Sequence, residues 1–126
     1  MFKYFNSIIE QDRASVVICD LNHTIIYMNA SAIKNYDKRG GGKLIGQSLL
    51  NCHNPHSNEM IEKVVAWFKE DANNNMIYTG HNDKDNKDIY MVALRDESKN
   101  LIGYYEKHEY RDREAADTYD FKKSLV

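Results

Sequence analysis

The stretch Asn51-Cys52-His53-Asn54-Pro55-His56-Ser57 concentrates more ligating chemistry than any other part of the chain. Thiolate and imidazole are the donors that zinc, copper and iron favour. Cys52 and His56 are four residues apart and His53 and His56 three apart, so two ligands would converge if the segment turned helical. Pro55 works against this, because the residue before a proline is pushed toward extended backbone. A structural zinc site takes four protein ligands and three are present; His81 and His108 would have to arrive from distant strands. Cys52, His53 and His56 are therefore candidate ligands for a metal or a haem, weighed against a plainer expectation. In that expectation Cys52 packs as a small apolar group, His53 hydrogen-bonds backbone in a tight loop, and His56 is solvated beside a helix start.

The same neighbours could seed nucleophilic catalysis, with Cys52 as nucleophile and a histidine as base. Adjacent side chains rarely aim at each other, and a base needs a third group to orient it. Nothing in the sequence selects that group, so no catalytic residue is assigned. A thiol- or metal-dependent enzyme built on Cys52, His53 and His56 is the alternative reading. Gly40-Gly41-Gly42-Lys43 suggests a phosphate loop but fails the pattern G-x-x-x-x-G-K-[ST]: no glycine holds the first position, Leu44 follows the lysine, and no strand precedes it. A mobile loop at a pocket rim is expected instead.

These residues belong to a chain of 126 residues and 14.7 kDa, a length that fits one domain. Apolar residues make up 42% and charged residues 29%, which argues against wholesale disorder. A net charge of −2 provides no electrostatic footprint for duplex nucleic acid. No run of about 18 apolar residues is present, so no membrane partner is expected. The opening MFKYFNSIIEQDR lacks a small-residue cleavage site and reads as mature sequence. Two cysteines, Cys19 and Cys52, make a poor disulfide framework, and a reducing cytoplasm is the expected location.

Residues 2–11 carry Phe2, Phe5, Ile8 and Ile9 at helical spacing and predict an amphipathic helix. Residues 15–20 (SVVICD) and 24–28 (TIIYM) flank Asp20-Leu21-Asn22-His23 and predict a hairpin. Asn29 is placed to cap a helix over 30–36. Residues 37–43 read as a flexible glycine loop and 44–50 as an irregular helical turn. Ser57 is placed to cap a long helix with Met60, Ile61, Val64, Val65, Trp67 and Phe68 in one apolar stripe, ending near Asp71. Strands over 76–81, 88–95 and 101–110 then predict an antiparallel meander. Residues from 112 onward are charged, and either extend as a helix or fray. On β parity Tyr105 and His108 face opposite sides, while Tyr104, His108 and Tyr110 share one side with Ile102. The aromatic residues Tyr27, Tyr36, Trp67, Tyr78, Tyr90, Tyr104 and Tyr105 could line a pocket, but most are expected to pack in the core or on a sheet face. The order gives an α+β domain.

Several short motifs in this order resemble a PAS domain. The run Asp20-Leu21-Asn22-His23-Thr24-Ile25-Ile26-Tyr27-Met28-Asn29 is similar to the family's first two strands and the asparagine that opens its next helix. Leu44-Ile45-Gly46 with Ser48 and Leu49 resembles the element before the family's long helix. Leu94-Arg95-Asp96-Glu97 and Leu101-Ile102-Gly103-Tyr104 resemble its last hairpin. The segment 51–57 resembles the "CH-P-S" segment of a bacterial and archaeal subgroup, departing at His56, where a basic residue such as lysine would be expected.

The resemblance implies a five-stranded antiparallel sheet with helices packed on one face, preceded by an N-terminal amphipathic helix. It divides the chain into residues 1–12 (cap helix), 13–111 (PAS-like domain) and 112–126 (charged tail). It implies a sensory and interaction module with a pocket between the concave sheet face and its helices. That pocket holds a small molecule, haem or flavin in some members and is filled by side chains in others. The ligand-binding candidates are Cys52, His53 and His56 at the margin, with Tyr36 and Tyr90 lining. The first helix resembles the dimerising cap of many members, so a homodimer is expected, with the signal leaving through dimerisation or a separate partner protein. A ligand-free dimerisation module is a further alternative.

Overall fold

The computed structural model describes residues 1–122. Asp20 makes the first hairpin. Its Oδ1 accepts hydrogen bonds from the backbone N–H groups of Asn22 (2.9 Å) and Thr24 (3.0 Å), while His23 takes a left-handed φ of 64°. Side-chain mimicry of a backbone turn is what makes aspartate a turn former. This turn joins β1 (Val17–Asp20) to β2 (Ile25–Met28). Three longer strands follow later, β3 (Met76–Asn82), β4 (Lys87–Arg95) and β5 (Leu101–Tyr110). All pair antiparallel, in the spatial order β2-β1-β5-β4-β3. The α+β architecture expected from the sequence is present. β5 is the central strand, so residues on its covered face point into the middle of the molecule.

The chain crosses from β2, at one edge, to β3, at the other, through its helices. Asn29 starts this crossing as cap of α2 (Ala30–Asn35) and is fully buried. Its Oδ1 accepts from Ala32 N–H (2.9 Å) and from Val16 N–H (3.0 Å). Its Nδ2 donates to the carbonyls of Ile9 and Ala14, each at 2.9 Å, and of Asp12 at 3.3 Å. One amide thus ties together α2, β1 and the C-terminal end of α1 (Phe2–Glu10). α1 buries none of its residues. It leans over the opposite sheet face, where a hollow of about 320 Å³ separates Ile8 and Ile9 from Ile18, Leu94 and Tyr105. The Tyr27 hydroxyl donates to the Glu10 carboxylate and anchors the helix end.

Two local expectations change. The glycine segment is not an open loop: it folds as two 3-10 turns, Asp37–Arg39 and Gly41–Leu44, packed under α2. Gly40 (φ 122°) and Gly41 (φ 53°) supply backbone angles that other residues resist, and a Cβ on Gly41 would crowd the Ile33 carbonyl at 3.4 Å. Buried Leu44 closes the segment onto the core. The long helix α3 (Pro55–Glu70) starts earlier than Ser57. Asn54 is its cap, accepting from Ser57 N–H at 2.8 Å, and Pro55 occupies the first turn. Proline is tolerated there because its missing N–H would have no intrahelical partner. Its restraint on Asn54 (ψ 166°) is the extended geometry that a cap requires.

α3 buries Ile61, Val64, Val65 and Phe68 against the sheet, a narrower stripe than predicted: Met60 is 44% exposed and Trp67 is half-buried. These side chains meet Cys19, Ile25, Met28, Ala32, Leu44, Met91 and Tyr104 in one core. Arg95 closes the far end, its Nη2 donating to the Phe68 carbonyl at 2.7 Å. The tail forms no helix over its described part, residues 112–122, and the remainder of the charged tail, 123–126, lies outside the described residues.

Candidate functional site

Strand register decides what faces α3. Val17 pairs with Met28 and with Glu106, Glu106 with Met91, and Met91 with Ile77. These residues form one row across the covered face of the sheet, and every member is apolar except Glu106. Tyr104 and His108 share its side of β5, since side chains alternate along a strand. A carboxylate at the centre of an otherwise apolar row on the central strand is an unusual placement, and this one is partly enclosed, with its side chain 35% exposed.

Two spaces lie against this position. A small void of about 20 Å³ is enclosed by Val17, Tyr36, Leu49, Ile61, Met91, Tyr104 and Glu106. An open cleft of about 450 Å³ runs between the first half of α3 and strands β3 and β4. Ile61, Met91 and Glu106 border both. The cleft volume falls within the range of small-molecule sites, roughly 300–1,000 Å³. Its apolar walls include Met60, Val64, Ile77 and Ile89, and its mouth carries His53 and His56.

The polar groups differ in what they have left to offer. Glu106 Oε1 lies 2.9 Å from His108 Nε2, and Oε2 takes no hydrogen bond among the described residues. The Tyr36 hydroxyl also has no hydrogen-bond partner among them. Burial, reinforced by the Glu106 carboxylate, pushes the Tyr36 phenol up to about 12, so it stays protonated. Tyr104 is raised by burial as well, and its hydroxyl bonds His23 Nδ1 at 2.7 Å. Burial pushes the Cys19 thiol up to about 12, which leaves it inert.

The five candidates singled out in the sequence separate. His53 and His56 line the cleft mouth, and His53 Nδ1 donates to the Leu49 carbonyl at 3.1 Å, the backbone bond expected of it. Tyr36 lines the inner void. Cys52 instead borders a closed apolar space with Ile25, Met28, Leu44 and Leu49. Tyr90 is on the other face of the sheet: it pairs with Tyr78 and Lys107, its ring is 5.6 Å from that of Tyr78, and its hydroxyl accepts from Arg111 at 3.1 Å. Among the described residues no three His, Cys, Asp or Glu side chains are grouped to hold a metal ion. Cys52, His53 and His56 therefore form no ligand set. Cys52 ends a 3-10 turn (Leu49–Cys52), His53 is extended, and His56 has begun α3, so the convergence imagined for a helical segment does not occur.

Glu106 is the site residue that the sequence reading does not single out. The signal was present: in Tyr104-x-Glu106-x-His108 a charge falls on the parity of a core tyrosine.

A family model described as PAS domain matches residues 13–106. No curated protein matches the chain. Among solved structures, the chain superimposes with a TM-score of 0.70 on a C-terminal domain from Streptococcus mutans, at 14% identity, covering 86% of this chain and 84% of that one. It superimposes with 0.65 on the PAS domain of a protein from Colwellia psychrerythraea, at 18% identity, covering 87% and 96%. The PAS domain of the histidine kinase ThkA gives 0.54 at 13% identity, covering 76% and 99%. At these identities the likeness is one of fold. The sheet order, the crossing helices and the matched span agree, and the chain belongs to the PAS domain family.

Proposed function

We propose that this domain is a sensory and interaction module. A small ligand enters the cleft between α3 and the sheet, and the signal leaves through dimerisation or through a separate partner protein in the cytoplasm. The observation that carries the reading is that the open cleft and the inner void share three lining residues, Ile61, Met91 and Glu106. A ligand reaching inward would press on the sheet, α3 and the turn that holds Tyr36 together. Binding of that kind selects between packings, since a ligand shifts only states that it binds differently.

The first helix supports the dimer half of the reading. Phe2, Phe5 and Ile8 are 87%, 52% and 69% exposed on a helix that buries none of its residues. Two-fold homodimers are the commonest oligomers. Both cysteines are free, in keeping with a reducing compartment.

The test is a metabolite panel read by two-dimensional NMR and thermal shift, with subunit count from light scattering. At least one compound should move the Ile61 and Met91 resonances and raise Tm by mass action. The same compound should fail against Met60→Trp, which fills the cleft from an exposed helix position. No response across the panel would overturn the sensory reading and leave a ligand-free dimerisation module.

A further inference from the structure

We infer that the cleft is built for a cationic ligand: a small amphipathic amine whose ammonium group bonds Glu106 and whose apolar body lies between α3 and strands β3 and β4. This rests on the reading of the cleft as a small-molecule site and names the chemical class that it would take.

Charge balance is the first argument. Among the described residues no lysine or arginine borders either the inner void or the cleft. Among them the one hydrogen-bond partner of Glu106 is His108, whose side chain is only 7% exposed and whose Nε2 lies 2.9 Å from Oε1. That bond orients the carboxylate and leaves Oε2 to a ligand.

Access is the second argument. The Glu106 side chain remains 35% exposed and borders both the void and the cleft, and its Oε2 takes no hydrogen bond among the described residues. The unpartnered Tyr36 hydroxyl borders the same void and can accept a second ammonium N–H. An anion would meet two imidazoles at the mouth, and one of them, His53, already donates Nδ1–H to Leu49. The free negative charge is at the floor, and an anion would have to approach it.

Matched probes test this: 2-phenylethylamine, 2-phenylethanol and phenylacetate, titrated into the full chain and into Glu106→Gln by calorimetry and NMR. Gln keeps an oxygen that can accept from His108, and the free variant's Tm reports whether it folds. The amine should bind tightest to the native protein, moving resonances of Met91 and Ile61. It should lose about tenfold to a hundredfold in Glu106→Gln, the range for one charged hydrogen bond, while the alcohol should bind both proteins alike. Equal or tighter binding of the alcohol or of phenylacetate, or an amine indifferent to Glu106→Gln, would overturn the cationic assignment and leave a small-molecule site of other chemistry. If none of the three moves cleft resonances while a compound from the metabolite panel does, the cationic assignment alone falls; if nothing at all moves them, the small-molecule reading falls with it. Should Glu106→Gln fail to fold, the ranking of the three probes on the native protein decides alone.

Discussion

The Arg95 guanidinium, on the last residue of β4, lies 2.7 Å from the Phe68 carbonyl oxygen in the last turn of α3. The same side chain donates to the Asp71, Asn74 and Lys99 carbonyls, each at 3.2 Å, and to Asn75 Oδ1 at 2.7 Å. It satisfies carbonyls that a helix end leaves open and brings a positive charge to the negative end of the helix dipole. Phe68 is wholly buried, so this clip sets how closely α3 lies on the sheet.

Replacing Arg95 by Met keeps the apolar stem and deletes the clip. A loss of about 2–3 kcal/mol is expected, the scale of charge-assisted hydrogen bonds to groups that are then left unmet. The urea midpoint should fall with an unchanged slope. Arg95→Lys should recover little of the loss, because one ammonium cannot reproduce a planar fork that reaches several carbonyls. Full recovery by Lys would show that charge alone holds the corner.

Asn29 makes a sharper case, because two rules disagree about it. As a helix cap, aspartate should replace it freely. In this structure its Nδ2 faces the carbonyls of Ile9, Ala14 and Asp12, and a carboxylate oxygen there would oppose three acceptors. Asn29→Asp should therefore cost about 2–3 kcal/mol, at least as much as Asn29→Ala, since it buries a charge with acceptors around it. Hydrogen exchange should show α1 released first, because its Ile9 carbonyl loses its tie to α2. An Asp variant as stable as the native protein would refute this placement.

What the sequence disclosed follows from the range of the forces involved. The hairpin at Asp20, the Asn29 cap and the presence of each strand were legible because their signals are local, within a few residues of each other. The start of α3 was misread by three positions because two capping residues, Asn54 and Ser57, compete there, and Pro55 decides between them by a backbone restraint. The site was harder. Cys52, His53 and His56 are neighbours in the chain, but three different backbone conformations send them to different surroundings. Tyr90 and Met91 differ by one position, and only register says which faces the cleft. Glu106 gains its meaning from Val17, Met91 and Ile61, which lie on three other elements. No window of sequence contains that environment.

Alkaline pH tests the interior directly. Tyr36 is raised from 10.0 to about 12, first by burial and then by Glu106, and Cys19 from 9.0 to about 12, mainly by burial. In both, the fold favours the protonated, neutral form. The folded state binds these protons more tightly than the unfolded chain does, so their contribution is fully present below the unfolded values and is lost as pH rises toward the folded ones. Stability should hold through pH 9 and fall between about 9 and 12, the Cys19 part beginning first and the Tyr36 part near 10. Denaturant midpoints measured along this range check the slope, and absorbance titration of tyrosinate checks the assignment. Tyr104 is raised by burial too and adds to the fall above 10, so Tyr36→Phe should make that fall shallower without abolishing it, with no change in the onset near 9. A midpoint that is flat from 9 to 12 would mean that neither group is enclosed as the structure has it.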